Sequence, residues 1–330
     1  MTLPTLDLSP IVVSTANPNL SSGLRQGQTL TLRDGGELGI NFEAVGSTLN
    51  IEGGNLGDFA GAANSTVNIS GGTVGDGFIA HAGSVVEIRG GSVGNDFEAF
   101  SGSRVNISGG AIGDNFVASS GSTVDISGGD FGNRFGASSS SEVNISGGTF
   151  GDLFDAFGGS RVNITGAVFG IGFDAASDSI VNITGGTFGE LFEAKNNSIV
   201  NISGGAFGDF FEANSGSEVN IFGSNFLLDD VSIDDILAMD DDTLLIVDRD
   251  VTLSGLFADG SAFSFDLNSF NASGDPLFGD PSQDVFSSGA RLTVTLVAAT
   301  VPEPSSLALL GLGGAILLAR RRKTYLTTQE

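Results

Sequence analysis

Carboxylates recur at a fixed pace along this chain of 330 residues. An aliphatic-polar-Ile triplet repeats through the sequence, and nine positions after its first residue stand Asp58, Asp76, Asp114, Asp152, Glu190 and Asp209, with Asn95, Asn133 and Ile171 filling the same place in other copies. Three places further come Glu98, Asp155, Asp174, Glu193 and Glu212. Stacked acids can hold a divalent cation, or serve as acid and base in glycosidic bond cleavage. Carboxylates ~4.8 Å apart repel by about 1 kcal/mol in water and about 3.5 kcal/mol at an effective dielectric of 20, so a long ladder needs relief. The breaks at Asn95, Asn133 and Ile171 favour a solvated face over a calcium column. Calcium is the one cofactor left open, and no other is expected.

Cleavage chemistry would also require a basic partner. Arg89, Arg104, Arg134 and Arg161 are the candidates, with Glu98 and Asp155 as acids. Arg104 and Arg161 share a position just before the Val that other copies fill with Thr, Val, Glu or Ile, as an exposed variable row would. His81 stands where Phe100, Ser119 and Phe157 stand in other copies, and reads as an exposed turn residue. No nucleophile elbow, histidine cluster or phosphate loop is present. No catalytic, cofactor-binding or metal-binding residue is assigned, and an enzyme is not expected.

The repeat says what must carry these side chains. The triplet begins at Leu49, Val67, Val86, Val105, Val124, Val143, Val162, Val181, Val200 and Val219, 19 residues apart in every step but the first, with a degenerate copy at Leu30. Val143 and Ile145 share one strand face, and Asn144 and Ser146 point the other way. Two glycines turn the chain, and Phe150, Phe154 and Ala156 supply the next apolar positions. β-branched residues, paired glycines and period-two alternation exclude helices and predict three short extended segments per coil. One coil buries too few side chains to offset the ordering of its backbone, so the coils must stack. The fold class is therefore all-β: a parallel β-solenoid, or β-helix, of about ten 19-residue coils, with a β-rich C-terminal cap and one C-terminal hydrophobic helix. Serine two places before each Val, from Ser47 to Ser217, faces inward and is expected to bond to backbone or to the next coil's serine. Asn-Ile-Ser and Asn-Ile-Thr at Asn68, Asn106, Asn144, Asn163, Asn182 and Asn201 are by-products of the strand pattern rather than glycosylation sites.

Composition narrows the function. A net charge of -26 argues against nucleic acid as a partner. The absence of cysteine removes disulfides and thiolate metal sites. From Leu227 the period stops; Val231 to Met239 could form a short helix, and Thr243 to Val247, Asp250 to Phe257, Ala262 to Leu267 and Arg291 to Ala298 look like strands of a cap.

The end of the chain is an address. Pro302, Glu303 and Pro304 precede an unbroken apolar and glycine run, Leu307 to Ala319, which is closed by Arg320, Arg321, Arg322 and Lys323. A helix over 305–319 would be roughly 22 Å long, a marginal membrane span whose basic end stays cytoplasmic. This order closely resembles the PEP-CTERM sorting signal of Gram-negative bacteria. The resemblance covers Val301 to Lys323. It implies an exosortase-type membrane protease as partner, an inner-membrane intermediate held through residues 305–319, cutting near the motif, and a body at the cell surface, in the outer envelope or outside the cell. Met1 to Leu20 offers no Lys or Arg and no long apolar stretch, so the true start is expected upstream, with a signal peptide.

The domains expected are an N-terminal segment or cap at 1–27, solenoid repeats at 28–226, a β-rich cap at 227–300, the sorting segment at 301–323 and a cytoplasmic tail at 324–330. The function expected is that of an exported structural or adhesive protein of the cell surface or extracellular matrix. The alternative is a polysaccharide-active β-helix lyase or hydrolase, which would be marked by a cleft where neighbouring coils present acids and an Arg together. A further alternative is ice or extracellular polysaccharide binding on the outward Asn, Ser and Thr grid. Trp is absent and the only Tyr is Tyr325, so aromatic sugar platforms reduce to Phe100 and Phe157.

Overall fold

The computed structural model describes residues 8–297, apart from 18, 21–22, 101, 239–241 and 270–283. The apolar segment 305–319, the motif at Pro302, Glu303 and Pro304, and the basic cluster Arg320 to Lys323 lie outside the described residues. Among the described residues no helix is long and apolar enough to cross a membrane.

The body is a parallel β-solenoid of about eleven turns, counted on an 11-stranded sheet to which each coil gives one short strand. Val86 sits in register between Val67 and Val105, and Ile88 between Ile69 and Ile107, so every aliphatic triplet stacks on its own copy. The inward residues of these strands are fully buried and the intervening ones half-buried. The expected three segments per coil are often two. In Arg104–Ile112, Thr123–Phe131, Glu142–Phe150, Ile180–Phe188 and Ile199–Phe207 the first two segments form one continuous strand. The Gly pair bends this strand with a register shift instead of ending it. Gly148 shows why glycine is needed there: its φ is +106°, and a Cβ would come within 3.0 Å of the Gly129 carbonyl oxygen.

Phenylalanine fills the core in two columns. Phe78, Phe97, Phe116, Phe135, Phe154, Phe173, Phe192 and Phe211 stack ring on ring, with centroids 4.7–5.2 Å apart. Phe131, Phe150, Phe169, Phe188 and Phe207 form a second column at 4.5–4.9 Å, and its rings meet the first edge to face. The intercoil spacing imposes the offset stack within a column, and the perpendicular contact between columns satisfies the ring quadrupoles.

The corner serines are buried as expected, and in some coils their hydroxyls bond as expected to backbone or to the next coil's serine, as Ser47 does to Ser65 at 3.5 Å. Ser65 donates to the Ala44 and Ala63 carbonyls, and Ser84 and Ser217 to the carbonyl three residues back. The hydroxyls of Ser103, Ser122, Ser141, Ser160, Ser179 and Ser198 are buried without a hydrogen-bond partner. Small size is what the corner demands.

The solenoid register runs past both ends of the repeat interval. Ile11–Val13 pairs in parallel with Leu30–Leu32. At the other end Arg291 pairs with Glu218, 73 residues away where 19 is the rule, so 54 residues are inserted into one coil. The insertion includes a short strand Val231–Ser232, a single helical turn Asp234–Leu237, a strand Thr243–Ile246 and a hairpin of Thr252–Phe257 with Ala262–Asp266. Val285–Phe286 and Arg291–Leu296 then resume the two solenoid sheets. The helix expected over Val231 to Met239 thus shrinks to one turn, because Val231–Ser232 pairs antiparallel with Leu227–Leu228.

Asp284 pins the return. Its carboxylate accepts the Phe211 and Asp266 N–H groups, and burial lifts its pKa from 3.8 to about 6 although both donors pull the other way. The folded chain therefore holds this proton more tightly than the unfolded chain does. The stability this contributes is full below about pH 4 and is lost as pH rises through 6, a difference of about 3 kcal/mol. In denaturant melts between pH 4 and 7, Asp284→Asn should remove this slope relative to the parent; an unchanged slope would assign the pH dependence to other acids.

Candidate functional site

The repeating acids nine places after each Val turn out to be part of the scaffold. The Asp58 side chain accepts the backbone N–H of Asp76, Asp76 that of Asn95, Asn95 that of Asp114, and the relay continues through Asn133 and Asp152 to Ile171. Asp and Asn serve equally here, because each needs only one side-chain oxygen to accept. That equivalence explains the mixed row, whose residues are exposed, as expected of a solvated face. The preceding glycine makes room for it: a Cβ on Gly151 would lie 2.5 Å from the Asn133 Oδ1.

The second acid row is a real column. Asp155, Asp174, Glu193 and Glu212 occupy matching places on successive coils of the 11-stranded sheet. Lys195 reaches into it and donates to Asp174 and Glu193. Burial would depress the Lys195 pKa, but the hydrogen bonds and charges of the two acids hold it above its usual value. Burial also raises Asp174, and the shared lysine offsets this only in part; at Glu193 burial pushes upward as well, but the lysine and further hydrogen bonds win and hold it low. Asp155 and Glu212, without a direct lysine contact, are raised by burial. Among the described residues no group of three or more acids or histidines is placed to hold a metal ion.

On another face a trough of about 400 Å³ runs along the coils beside the strand bend at Ser-Gly-Gly. One wall is the outward residue of each triplet. Within the trough this wall is Glu87, Asn106, Asp125, Asn144 and Asn163, and beyond it the row continues as an asparagine ladder, Asn163 donating its amide to Asn144, Asn182 to Asn163, Asn201 to Asn182 and Asn220 to Asn201. The other wall is the exposed row Ser108, Ser127, Ser146 and Thr165, the last three with hydroxyls turned back to a carbonyl of the preceding coil. Glu87 and Asp125 alternate with asparagine along the trough and accept from Asn106 and Asn144. Arg89 pairs with Glu87 at 3.1 Å, and Arg104 pairs with Asp125. Two of the four candidate arginines therefore meet acids at the trough, though not Glu98 or Asp155. Arg134 stands alone at a corner with φ +63°, Arg161 lies in the variable strand row beside Glu142 and Ile180, and the Glu98 carboxylate accepts the Ser119 hydroxyl. The His81 carbonyl closes its turn by accepting from Ser84, and Phe100 and Phe157 are exposed.

Toward the C-terminal end the hairpin turn lies against the same bend. The Asp259 N–H donates to the Ser203 carbonyl, and its carboxylate accepts the Gly205 N–H. The trough was missed in the sequence because rows from several successive coils line it.

No curated protein and no solved structure matches the chain. A family model does match at its end, over residues 300–323: the PEP-CTERM protein-sorting motif. That motif implies recognition by an exosortase, a membrane protein, so this is an exported β-solenoid that carries a PEP-CTERM sorting motif behind its body.

Proposed function

We propose that the chain is a structural or adhesive component of the cell surface or extracellular matrix, and that it docks extended polysaccharide in the asparagine-walled trough. No catalytic step and no cofactor is proposed. The observation that carries this reading is the ladder. After bonding their neighbours, Asn144, Asn163, Asn182 and Asn201 each keep one amide hydrogen and one oxygen lone pair, and these repeat at the intercoil spacing of ~4.8 Å. A polymer of hydroxylated units meets the same two groups coil after coil, so weak contacts add by multivalency. No aromatic side chain lines the trough, so recognition rests on hydrogen bonds and should strengthen with polymer length. The hairpin turn at Asp259 gives support, since a polar backbone already hydrogen-bonds along this bend.

A second reading, a polysaccharide-active enzyme, draws on the two acid–arginine pairs at the trough. Against it, Glu87 and Asp125 each have both oxygens engaged, by an asparagine and an arginine, which leaves neither free to hand a proton to a glycosidic oxygen. The test is to fill the trough with Ser127→Phe and Ser146→Phe, a side chain the fold already places at the matching Phe222. Affinity electrophoresis through polysaccharide from the producing cells should show at least tenfold weaker retention than the parent. Equal retention would sink the trough reading, and shortening of the polymer that Glu87→Gln with Asp125→Asn abolishes would establish the enzyme instead.

A further inference from the structure

The residue ten places after each Val sits in left-handed backbone at an exposed corner: Gly77 at φ +70°, Asp96 at +59°, Asn115 at +61° and Gly172 at +83°. Gly, Asn and Asp adopt this region at little cost. Leu153 at +66°, Leu191 at +64° and Phe210 at +66° adopt it too, where bulky side chains are disfavoured. Leu153 is 46% exposed and Leu191 41%, and Ile171, beside Gly172 on the coil between them, is 46% exposed. The Leu153 side chain lies over Gly172, where an added Cβ would come within 2.9 Å of its Cδ2. Three successive coils thus expose apolar side chains along one ridge, which the half-buried Phe210 extends to a fourth, at a corner where backbone preference would select Gly, Asn or Asp.

We propose that this ridge docks a basic, apolar-faced polypeptide segment of another protein. Charge decides the occupant. Asp152, Glu190 and Asp209 immediately precede Leu153, Leu191 and Phe210, and Asp155, Asp174, Glu193 and Glu212 run along the other flank. Of the basic groups nearby, Lys195 is tied to Asp174 and Glu193, and Arg134 holds the same corner one coil before the ridge begins. A second copy of this chain, or an anionic lipid surface, would bring like charge against both flanks. A helix or strand with leucine-type side chains toward the ridge and Lys or Arg on either side satisfies the apolar centre and the acidic rim together.

The test uses the full chain and a fluorescent amphipathic peptide of leucine and lysine, with the same peptide carrying glutamate for lysine as control, followed by fluorescence anisotropy. The variant is Leu153→Asn, Leu191→Asn and Phe210→Asn, which installs the residue that Asn115 already places at this corner and keeps every carboxylate. The lysine peptide should bind the parent and bind the variant at least tenfold more weakly, while the glutamate peptide binds neither. Equal binding to parent and variant would mean that charge alone attracts the peptide, and would overturn the proposal. So would parent self-association lost in the variant, which assigns the ridge to a second copy. Should the triple variant melt early, Leu153→Gly with Leu191→Gly, as at Gly172, replaces it.

Discussion

Phe173→Ala is expected to cost the solenoid about 3–5 kcal/mol, among the largest losses a single side chain can produce here. Phe173 is 2% exposed. Its ring stacks on Phe154 at 4.7 Å and Phe192 at 4.9 Å, and meets the edges of Phe169 and Phe188 at 5.4 Å. Removing it takes one ring from each of four aromatic contacts and leaves a void that the coil cannot close, because the hydrogen bonds to the coils on either side hold its backbone in place. The architecture adds a second consequence. Solenoid stability is close to a sum over neighbouring coils, so a weak interface in the middle should divide the unfolding into two steps. Guanidinium melts followed by circular dichroism read both effects: the midpoint should fall and the single transition should broaden or split. Phe100→Ala at an exposed turn should stay within about 0.5 kcal/mol of the parent. A Phe173 variant that matched it would mean the columns contribute little.

Replacement of Pro302, Glu303 and Pro304 by alanine should abolish sorting altogether. The motif matches at 300–323, past Leu296, where the last strand among the described residues ends. In a host that carries an exosortase, the parent should lose the residues beyond the motif, and its body should fractionate with the cell surface or the medium. The alanine variant should keep its full mass and stay with the inner membrane. Intact mass together with fractionation reads both. Deleting the protease should give the parent the phenotype of the variant, and identical processing of parent and variant would remove the motif from the mechanism. Replacing Arg320, Arg321, Arg322 and Lys323 by glutamine tests the basic end of the matched motif separately.

The sequence by itself determined the solenoid, its period, the strand that carries Val and Ile, the inward serine and the sorting motif. All but the sorting motif rest on a local rule repeated so often that one degenerate copy cannot hide it, and the order of Pro302, Glu303, Pro304 and Arg320 to Lys323 needs no tertiary context. What the tertiary structure decided are the matters that depend on which atoms a neighbouring coil presents. The acid row at Asp58 to Asp152 read as a solvated face and is exposed, but only stacking showed that each side chain also accepts the next coil's N–H group. The row of Ser127 and Ser146 and the row of Asn144 and Asn163 line one trough, which only the stacking of successive coils creates. Arg291 to Leu296 looked like the last strand of a cap and proved to be a solenoid rung, since 54 inserted residues separate it from the period and only the parallel pairing with Glu218 to Gly223 restores it. Periodicity in sequence reports what a coil must bury, whereas the contacts between coils, and the surfaces they leave open, are fixed by a spacing of ~4.8 Å that no single repeat contains.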